Sequence, residues 1–503
     1  MAINYIPNDP LARKGPAMRS KTPRQNRPPG VAGFTYATGP AAAPYAVGTA
    51  EFLFWQSREA ALAAVQTYED LSGQKVKQWA RSTPRRRLEL QPDVGTDLNA
   101  YYDGQSLKFF HYTTGTKTTY SGASTDVVAH EVGHALLDQA RPDLWNSNFP
   151  ETNAFHEAFG DCMALLTALD DQVSREAVRK SLRQQNFVEA WGEDLSDGVR
   201  RDLGASHGSA QPRHAHNNFR WALPSTLPTS GPPSVLSAEI HSFARVFTGC
   251  LYATLLNILR DIIGAGKTPT QAQLRQAART VGHLLVRAAA EAPETARFFQ
   301  SVGRTMVLVD EAENGAANRM AIRDAFEGHN IALGSAAMLA PTAALAGKAP
   351  KMGRGGRHLI SSAGLADLRV RLAADPGARM LVRAGAIGGR PVVRATHLRE
   401  VPLGSIDSKL KGVTALVPEA VLVGSASRTA AILGELPEST ASTDEVTTFV
   451  QTLLASNRIA FDRADIRKGI KSATAGDNRA RLPTHAVLES GGKKTLKRVR
   501  FAC

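Results

Sequence analysis

The chain has few cysteines and no long apolar run. Cys162, Cys250 and Cys503 are its 3 cysteines among 503 residues, too few for a disulfide framework. Residues 1–20 lack an apolar core of about seven residues, so they do not predict a cleavable secretory signal peptide. No stretch of about 18 consecutive apolar residues occurs, so we predict no transmembrane span. These absences indicate a cytoplasmic protein, or one that is exported without a cleavable signal peptide.

Acidic residues are the minority among the charged ones. The formal net charge is +14 and the pI is about 9.8, with basic clusters in residues 1–30, 81–87, 351–357 and 493–500. Such an excess is compatible with an anionic partner, whether nucleic acid, a membrane surface or an acidic protein. No nucleic-acid-binding motif supports the first of these. We therefore favour a solvated basic surface with basic tails, and an anionic partner stays an open alternative.

The most informative segment is HEVGH at residues 130–134. His130 and His134 are four residues apart, so on a helix they lie on one face, one turn apart. Two imidazoles at this spacing can bind one Zn²⁺, and Glu131 lies where a carboxylate can take a proton from a zinc-activated water. The surrounding helix is apolar on nearly every side, which predicts burial. The alternative is that both histidines are ordinary core residues and that Glu131 is solvated.

A catalytic zinc site requires a third protein ligand and leaves one position open. The position six residues after the second histidine is Ala140, so the third ligand is predicted to be a carboxylate. Glu157 and Asp161 are four residues apart in a second apolar helix, which we expect to begin near residue 152. One of them can bind the metal while the other accepts the free ring N–H of a ligating histidine. Glu157 is favoured over Glu151, which has no carboxylate four residues after it.

At these residues the chain resembles the thermolysin-like zinc metallopeptidases. The resemblance covers residues 50–335 and includes further family-like segments, namely LNAYYDGQSLKFF at 98–110, EIHSFARVF at 239–247 and RMAIRDAFEGHNIAL at 319–333. It implies a zinc-dependent endopeptidase that forms no acyl-enzyme, so no nucleophilic serine or cysteine is required.

The resemblance assigns the metal and the general base to the two helices. It implies one Zn²⁺ bound by His130, His134 and Glu157. Asp161 would support a ligating histidine through its other ring nitrogen. Glu131 would take the water proton during attack and pass it to the leaving amine.

Residues outside the two helices also receive roles from the resemblance. His241 and Arg200 would stabilise the oxyanion of the tetrahedral intermediate. Trp145 stands where relatives usually have a tyrosine, and its indole N–H could donate to the same oxyanion. Asn99 and Ala100 would hold the peptide substrate as an added strand.

Two departures from the family concern the support of the site. The family's aspartate five residues before His241 is replaced by Leu236, so Glu239 is expected to orient the histidine instead. Asp126 and Glu193 match positions that bind Ca²⁺ in relatives, but Ala168 stands at another position that is expected to be acidic. Bound Ca²⁺ is therefore an open expectation.

The predicted fold class is α+β, with a two-lobed thermolysin-like core. Residues 1–45 are predicted to be a basic, Pro/Gly-rich arm that is extended or disordered, and residues 46–335 to form an N-terminal α/β lobe and a helical C-terminal lobe. Residues 336–358 are predicted to be a linker. Residues 359–503 alternate like strands around one helix, which predicts a small α/β or α+β accessory domain that can be removed without unfolding the core.

The chain is therefore predicted to be a zinc metalloendopeptidase that acts on peptide or protein substrates. The alternative is an exported effector or binding protein, in which the basic C-terminal domain recognises a partner and the peptidase domain is latent. An intact general base, Glu131, argues against a vestigial site. The sequence does not identify the substrate, the oligomeric state or the role of residues 336–503.

Overall fold

The computed structural model confirms a mixed α+β class with several separate sheets. It describes residues 1–36, 39–81, 87–334, 360–375, 377–378, 380–424, 431–437, 439–462, 466 and 482–502. The predicted linker at residues 336–358 lies outside the described residues, as does the basic cluster at 351–357.

The N-terminal part of the chain forms short strands around one long helix. The helix α1 spans Ala50–Ser72 and is capped by Thr49 at its start and by Gly73, with φ of 70°, at its end. The strands are β1 (Ile3–Tyr5), β2 (Arg19–Lys21), β3 (Gly33–Thr35), β4 (Arg87–Gln91), β5 (Ala100–Tyr102), β6 (Ser106–Phe109), β7 (His111–Thr114) and β8 (Lys117–Tyr120).

The middle of the chain is mainly helical, as predicted. Its helices are α2 (Thr125–Ala140), α3 (Pro150–Asp170), α4 (Gln172–Val178), α5 (Glu193–Leu203), α6 (Ile240–Ile263), α7 (Gln271–Glu291), α8 (Phe298–Asn314) and α9 (Arg319–Gly328). Two short strands, β9 (Ala190–Trp191) and β10 (Arg213–His214), pair with each other in this region.

The C-terminal region forms a larger sheet with two helices. Its elements are α10 (Ser362–Arg371), β11 (Met380–Ile387), β12 (Arg390–Pro402), β13 (Val413–Gly424), β14 (Ala431–Ile432), α11 (Ser439–Ala455), β15 (Ile459–Ala460), β16 (His485–Ser490), β17 (Lys493–Arg498) and β18 (Phe501–Ala502). The seven-stranded sheet has the order β11-β12-β13-β17-β16-β15, and β14 pairs with β13.

A five-stranded sheet joins four strands of the N-terminal part to β18, the last described strand. Its order is β18-β5-β6-β4-β3. Strands β3, β4 and β6 are parallel, whereas β5 runs antiparallel to β6 and to β18. The family-like segment at residues 98–110, which is expected to hold the substrate, contains β5 and β6. However, β5 has a neighbour on both of its sides.

Residues 1–45, which are predicted to be an extended or disordered arm, contact distant elements of the fold in their described part. Ile3 is 0% exposed, and the backbone N–H and C=O of Ile6 exchange hydrogen bonds of 2.9 Å with the side chain of Gln56. The side chain of Asn8 donates to the carbonyl of Phe187 at 2.8 Å. The segment is extended, but it is ordered because these partners on distant elements satisfy its backbone.

The C-terminal region is not separated from the predicted peptidase core. Val392, Leu422 and Phe501 belong to the same hydrophobic cluster as α2 and α3. A second cluster joins Phe149, at the start of α3, to side chains of α11. Apolar surfaces on both sides of residue 359, where an accessory domain is predicted to begin, thus bury each other.

One described helix, α6, is long and apolar enough to cross a membrane. In the structure 67% of its most apolar window is buried, and the helix packs against α3, α7 and α9. This burial is typical of a core helix, and no membrane is needed to explain its composition.

Candidate metal centre

The site is built on the contact between α2 and α3. Residues Thr125–Asp138 of α2 and Pro150–Leu169 of α3 are all buried. The helices approach closely at Gly133, where an added Cβ would lie 2.8 Å from Cα of Gly160. A Cβ at Gly160 would in turn lie 2.6 Å from Nδ1 of His130. Both glycines are therefore required for the imidazole to lie against α3.

Three predicted metal ligands converge at this contact. The candidate ligand atoms of His130, His134 and Glu157 all lie within 4.8 Å of one another. Nε2 of His130 lies 3.4 Å from Oε2 of Glu157, and Nε2 of His134 lies 3.7 Å from the same oxygen. Ligands bound to one tetrahedral Zn²⁺ at about 2.0–2.1 Å are about 3.3 Å apart, so these separations fit one zinc ion after a small contraction.

The hydrogen bonding of the cluster also fits a cation. Among the described residues, neither ring nitrogen of His134 has a hydrogen-bond partner although both are buried, and Oε2 of Glu157 faces imidazole nitrogens of His130, His134 and His241 at 3.2–3.7 Å. Buried polar atoms are normally paired, so this set calls for another group. Two imidazoles and a carboxylate are ligands that Zn²⁺ prefers in proteins.

Burial and charge set the protonation of two cluster residues. Burial lowers the pKa of His134 to about 3, against the opposing effect of Glu157. Burial would raise the pKa of Glu157, but the charges of His241 and His134 hold it well below its usual range. A neutral imidazole and an ionised carboxylate are the forms that bind a metal.

Asp161 lies behind His130, on the side of the ring away from Glu157. Its Oδ1 is 2.9 Å from Nδ1 of His130, so the opposite ring nitrogen faces Glu157. Arg213 forms a second ion pair with Asp161, at 2.7 Å from Nη2 to Oδ1 and 3.2 Å from Nε to Oδ2. Burial would raise the pKa of Asp161, but Arg213 and His130 lower it. The carboxylate is thus kept ionised and can orient the ring.

His241, at the start of α6, reaches the same cluster. Its Nε2 lies 3.2 Å from Oε2 of Glu157, and its Nδ1 lies 2.7 Å from Oε1 of Glu239. The same Glu239 carboxylate caps α6 by accepting from two backbone N–H groups. Burial favours the neutral ring, but Glu157 and Glu239 outweigh it and raise the pKa of His241 to about 9.

Arg213 lies at the cluster, whereas Arg200, the arginine singled out in the sequence, does not contact it. Arg200 lies on α5, is 56% exposed in its side chain and pairs with Asp197 of its own helix. Arg213 is on β10, and its Nη2 lies 3.5 Å from Nδ1 of His130. Arg213 lies outside every motif that identified the other site residues, so its place at the cluster is not predicted by the sequence.

The three residues that are expected to contact substrate, Trp145, Asn99 and Ala100, are engaged within the chain. The indole N–H of Trp145 donates to the carbonyl of Arg498 at 3.2 Å, so it is not available to an oxyanion in this conformation. Asn99 is buried, and its side-chain oxygen accepts from the backbone N–H of Ala100 at 2.9 Å. Ala100 begins β5, where its Cα partner is Phe109 of β6.

His156 is a residue at the site for which the sequence indicated no role. It precedes Glu157 and is 0% exposed. Its ring lies 5.8 Å from that of His134 and stacks on Phe501, with centroids 4.1 Å apart. Burial keeps its pKa well below the usual value, so it lines the site as a neutral aromatic ring.

A second group of acidic residues lies at the start of α2. Carboxylate oxygens of Asp9, Asp126 and Glu193 lie within 4.8 Å of one another. Asp126 and Glu193 are the two residues expected to bind Ca²⁺, while Asp9 belongs to the N-terminal segment and was not predicted. Burial and then Asp126 raise the pKa of Glu193 to about 8, and burial raises those of both aspartates. This electrostatic cost would be relieved by a cation.

No protein-family model matches the chain, and no curated protein matches it in sequence. The motifs and the geometry of the cluster are therefore the features that indicate a function.

Proposed function

We propose that the protein is a zinc-dependent endopeptidase of the thermolysin-like type. The observation that carries this proposal is the convergence of His130, His134 and Glu157 in one buried cluster, with His241 beside it. Two imidazoles and one carboxylate leave one position open on a tetrahedral Zn²⁺, as in catalytic sites and unlike structural ones. Glu131, next to the first ligand on α2, is the candidate general base.

We further propose that residues 46–335 correspond to the two lobes of that type of peptidase. The five-stranded sheet would belong to the N-terminal lobe, and α6 to α9 to the C-terminal lobe. The arrangement of α2 supports this, because α2 contacts β5 on one side and α3 on the other.

The metal and the side chains have different roles in the proposed reaction. A bound Zn²⁺ supplies Lewis acidity that polarises the scissile carbonyl and lowers the pKa of water to about 7. Glu131 takes the proton of the attacking water and delivers it to the leaving amine. His241, oriented by Glu239, donates to the developing oxyanion from Nε2, and the cation of Arg213 favours the same negative charge. Substrate would pair with β5 as an added strand, on the side that β18 occupies in the structure.

The test is cleavage of a peptide library, followed by mass spectrometry of the products. The zinc-loaded protein is expected to cut internal peptide bonds, to lose activity on chelation and to regain it with Zn²⁺. Glu131→Gln should keep full zinc but lose nearly all cleavage, because an amide cannot accept the water proton. Appreciable turnover in this variant at full zinc occupancy would exclude Glu131 as the base.

The burial of the cluster favours a second candidate, a binding protein or effector with a latent peptidase site. Glu131 and Glu157 are 0% exposed, and His134 is 1% exposed. A site that stays covered cannot take up a substrate. This candidate predicts zinc binding without cleavage of any library peptide, whatever the treatment of the protein.

A further inference from the structure

The strand that pairs with the edge of β5 comes from the chain itself. In β18, Phe501 lies opposite Tyr102 and Ala502 lies opposite Tyr101, in antiparallel register. The other side of β5 is taken by β6. Antiparallel addition to an exposed strand is a common way of binding an extended peptide. The segment 498–502 thus lies where the proposed function requires a substrate.

The side chain of Phe501 covers the metal cluster. Its ring stacks on His134 with centroids 4.7 Å apart and an interplanar angle of 13°. It also stacks on His156 at 4.1 Å and meets Trp145 edge-on at 5.3 Å. Phe501 is 0% exposed. An aromatic side chain therefore fills a pocket whose wall includes one of the candidate metal ligands.

Arg498 holds the same segment over the cluster. Its carbonyl accepts from the indole of Trp145 at 3.2 Å, and its guanidinium lies 3.8 Å from the ring centroid of Phe501. The guanidinium is close enough to Glu157 that the carboxylate opposes the effect of burial on the pKa of Arg498, which is lowered to about 9. Backbone pairing, ring stacking and charge thus all direct residues 498–502 into the cleft.

We propose that residues 498–502 act as an internal inhibitory peptide, which occupies the substrate cleft until it is displaced. The inference rests on the proposed peptidase function. It follows from the register of β18 on β5, from the stacking of Phe501 on His134 and from the burial of Glu131 and Glu157. A substrate strand and this segment require the same edge of β5, so they exclude each other.

Some buried groups destabilise the conformation in which residues 498–502 cover the metal cluster. Within the described part of the chain, Nε and Nη2 of Arg498, and Nε and Nη1 of Arg500, are buried without hydrogen-bond partners. Buried donors that lack a partner destabilise the conformation that contains them. The pairing with β5 involves Phe501 and Ala502 alone, whereas Arg498 pairs with His485 of β16 and the N–H of Val499 donates to the carbonyl of Thr484 at 2.8 Å. The part that can leave the cleft is therefore Phe501 and Ala502, and residues 498–500 anchor it to β16.

The experiment compares the zinc-loaded full chain with a form lacking residues 501–503 and with Phe501→Ala. An internal competitor lowers the fraction of open molecules, so its removal should lower KM by about 10–100-fold and leave kcat unchanged. Phe449→Ala is the matched control, because Phe449 is also a buried phenylalanine of the C-terminal region but packs on His485. It should leave KM unchanged. A purely structural role for Phe501 would lower kcat or zinc content instead.

A peptide added in trans provides the second measurement. The peptide of residues 496–503, with Cys503→Ser to remove the thiol, should inhibit the shortened protein competitively. The same peptide with Phe501→Ala should inhibit it at least about tenfold more weakly. An unchanged KM in the shortened protein, together with no inhibition by the peptide, would overturn the inhibitory role and leave the peptidase assignment intact.

A measurement of peptide binding distinguishes a failure of the inhibitory role from a failure of the proposed peptidase function. Fluorescence anisotropy of the labelled peptide on the shortened protein carrying Glu131→Gln needs no turnover. Binding that depends on Phe501, with no cleavage by any zinc-loaded form, would overturn the peptidase function but support the cleft as the site of this segment. Absence of both binding and cleavage would overturn both proposals.

Discussion

Nδ1 of His130 lies 2.9 Å from Oδ1 of Asp161, and this contact directs Nε2 of the same ring towards Glu157. The two residues are on neighbouring helices whose approach is limited by Gly133 and Gly160. A carboxylate behind an imidazole fixes the ring and increases its basicity towards a metal. The metal site therefore depends on the packing of α2 on α3 as well as on the ligands themselves.

The first prediction concerns metal affinity. Glu157→Ala should abolish stoichiometric zinc binding, because it removes the only carboxylate among the three proposed ligands. Asp161→Asn should keep the site but weaken its zinc affinity by about 10–100-fold, since the amide orients His130 less well. Zinc content after dialysis and competition with a chromophoric chelator give both values.

Glu151→Ala is the matched control for this prediction. Glu151 is a buried glutamate of the same helix, but its oxygens accept from Trp221 and from the backbone of Phe299. Its loss should lower stability without changing the zinc content. Full zinc in Glu157→Ala, or equal zinc loss in Glu151→Ala, would show that the ligand assignment is wrong.

The second prediction concerns His241. If its Nε2 donates only in the transition state, His241→Ala should lower kcat and kcat/KM together by about 10²–10³-fold, with KM nearly unchanged. Zinc content should stay at one ion per chain. A variant with normal kcat, or one without its metal, would contradict this role.

Glu239→Gln tests the same histidine by its pH dependence. The carboxylates of Glu157 and Glu239 raise the pKa of His241 to about 9. The protonated donor is present below that pKa and is lost as the pH rises through it. Removing one of these charges should therefore shift the alkaline limb of kcat/KM to lower pH. An unshifted limb would mean that another group sets it.

Local patterns predicted the two helices and the ligands on them. The spacing of His130 and His134 and of Glu157 and Asp161 follows from the helical repeat alone. The predicted start of α3, near residue 152, is less accurate, because the helix begins at Pro150. The error is small because proline is well tolerated in the first turn.

Contacts between distant segments could not be predicted in the same way. Asp9 reaches the acidic cluster, and Arg213 reaches Asp161, through chain folding that no short pattern encodes. Phe501, on the last described strand, stacks on His134 of α2. Composition suggested polar or accessory segments at both ends of the chain, but tertiary partners determine their burial.

The third prediction concerns Asp9, Asp126 and Glu193. Because the pKa values of these carboxyl groups are raised in the folded state, the folded state binds more protons than the unfolded state. Their contribution to stability is therefore present at low pH and is lost as the pH rises through the folded-state pKa. That pKa is about 8 for Glu193. Without added Ca²⁺, Tm should therefore fall between pH 5 and pH 8. Ca²⁺ at about 100 times its Kd should add about 2.7 kcal/mol, with a larger effect at pH 8.

Asp9→Asn and Asp103→Asn complete this test. Asp103 is paired with Lys108, outside the acidic cluster, so its variant should keep the response to Ca²⁺. Asp9→Asn should reduce the response and make Tm less dependent on pH. The same rise in Tm with Ca²⁺ in both variants, measured by calorimetry, would rule out the cluster as the calcium site.

The last prediction concerns the C-terminal region, which the sequence suggested was dispensable. Phe149 shares a hydrophobic cluster with Phe449 and its neighbours on α11, and Arg297 pairs with Glu445 of the same helix at 2.6 Å. Removing residues 335–503 would expose these surfaces together with part of the main core. We therefore expect a 1–334 chain to lose cooperative melting and zinc binding.

A single substitution in the full chain tests the same prediction without a truncation that could cause misfolding by itself. Phe449→Ala should destabilise the protein by about 3–5 kcal/mol, because it leaves a cavity in a tightly packed cluster. If the C-terminal region and the α2–α3 contact form one cooperative unit, zinc release and the loss of helical circular dichroism should move together to lower temperature in this variant. Retention of zinc and an unchanged Tm in the 1–334 chain, or zinc release that is unaffected by Phe449→Ala, would show that the catalytic core folds independently after all.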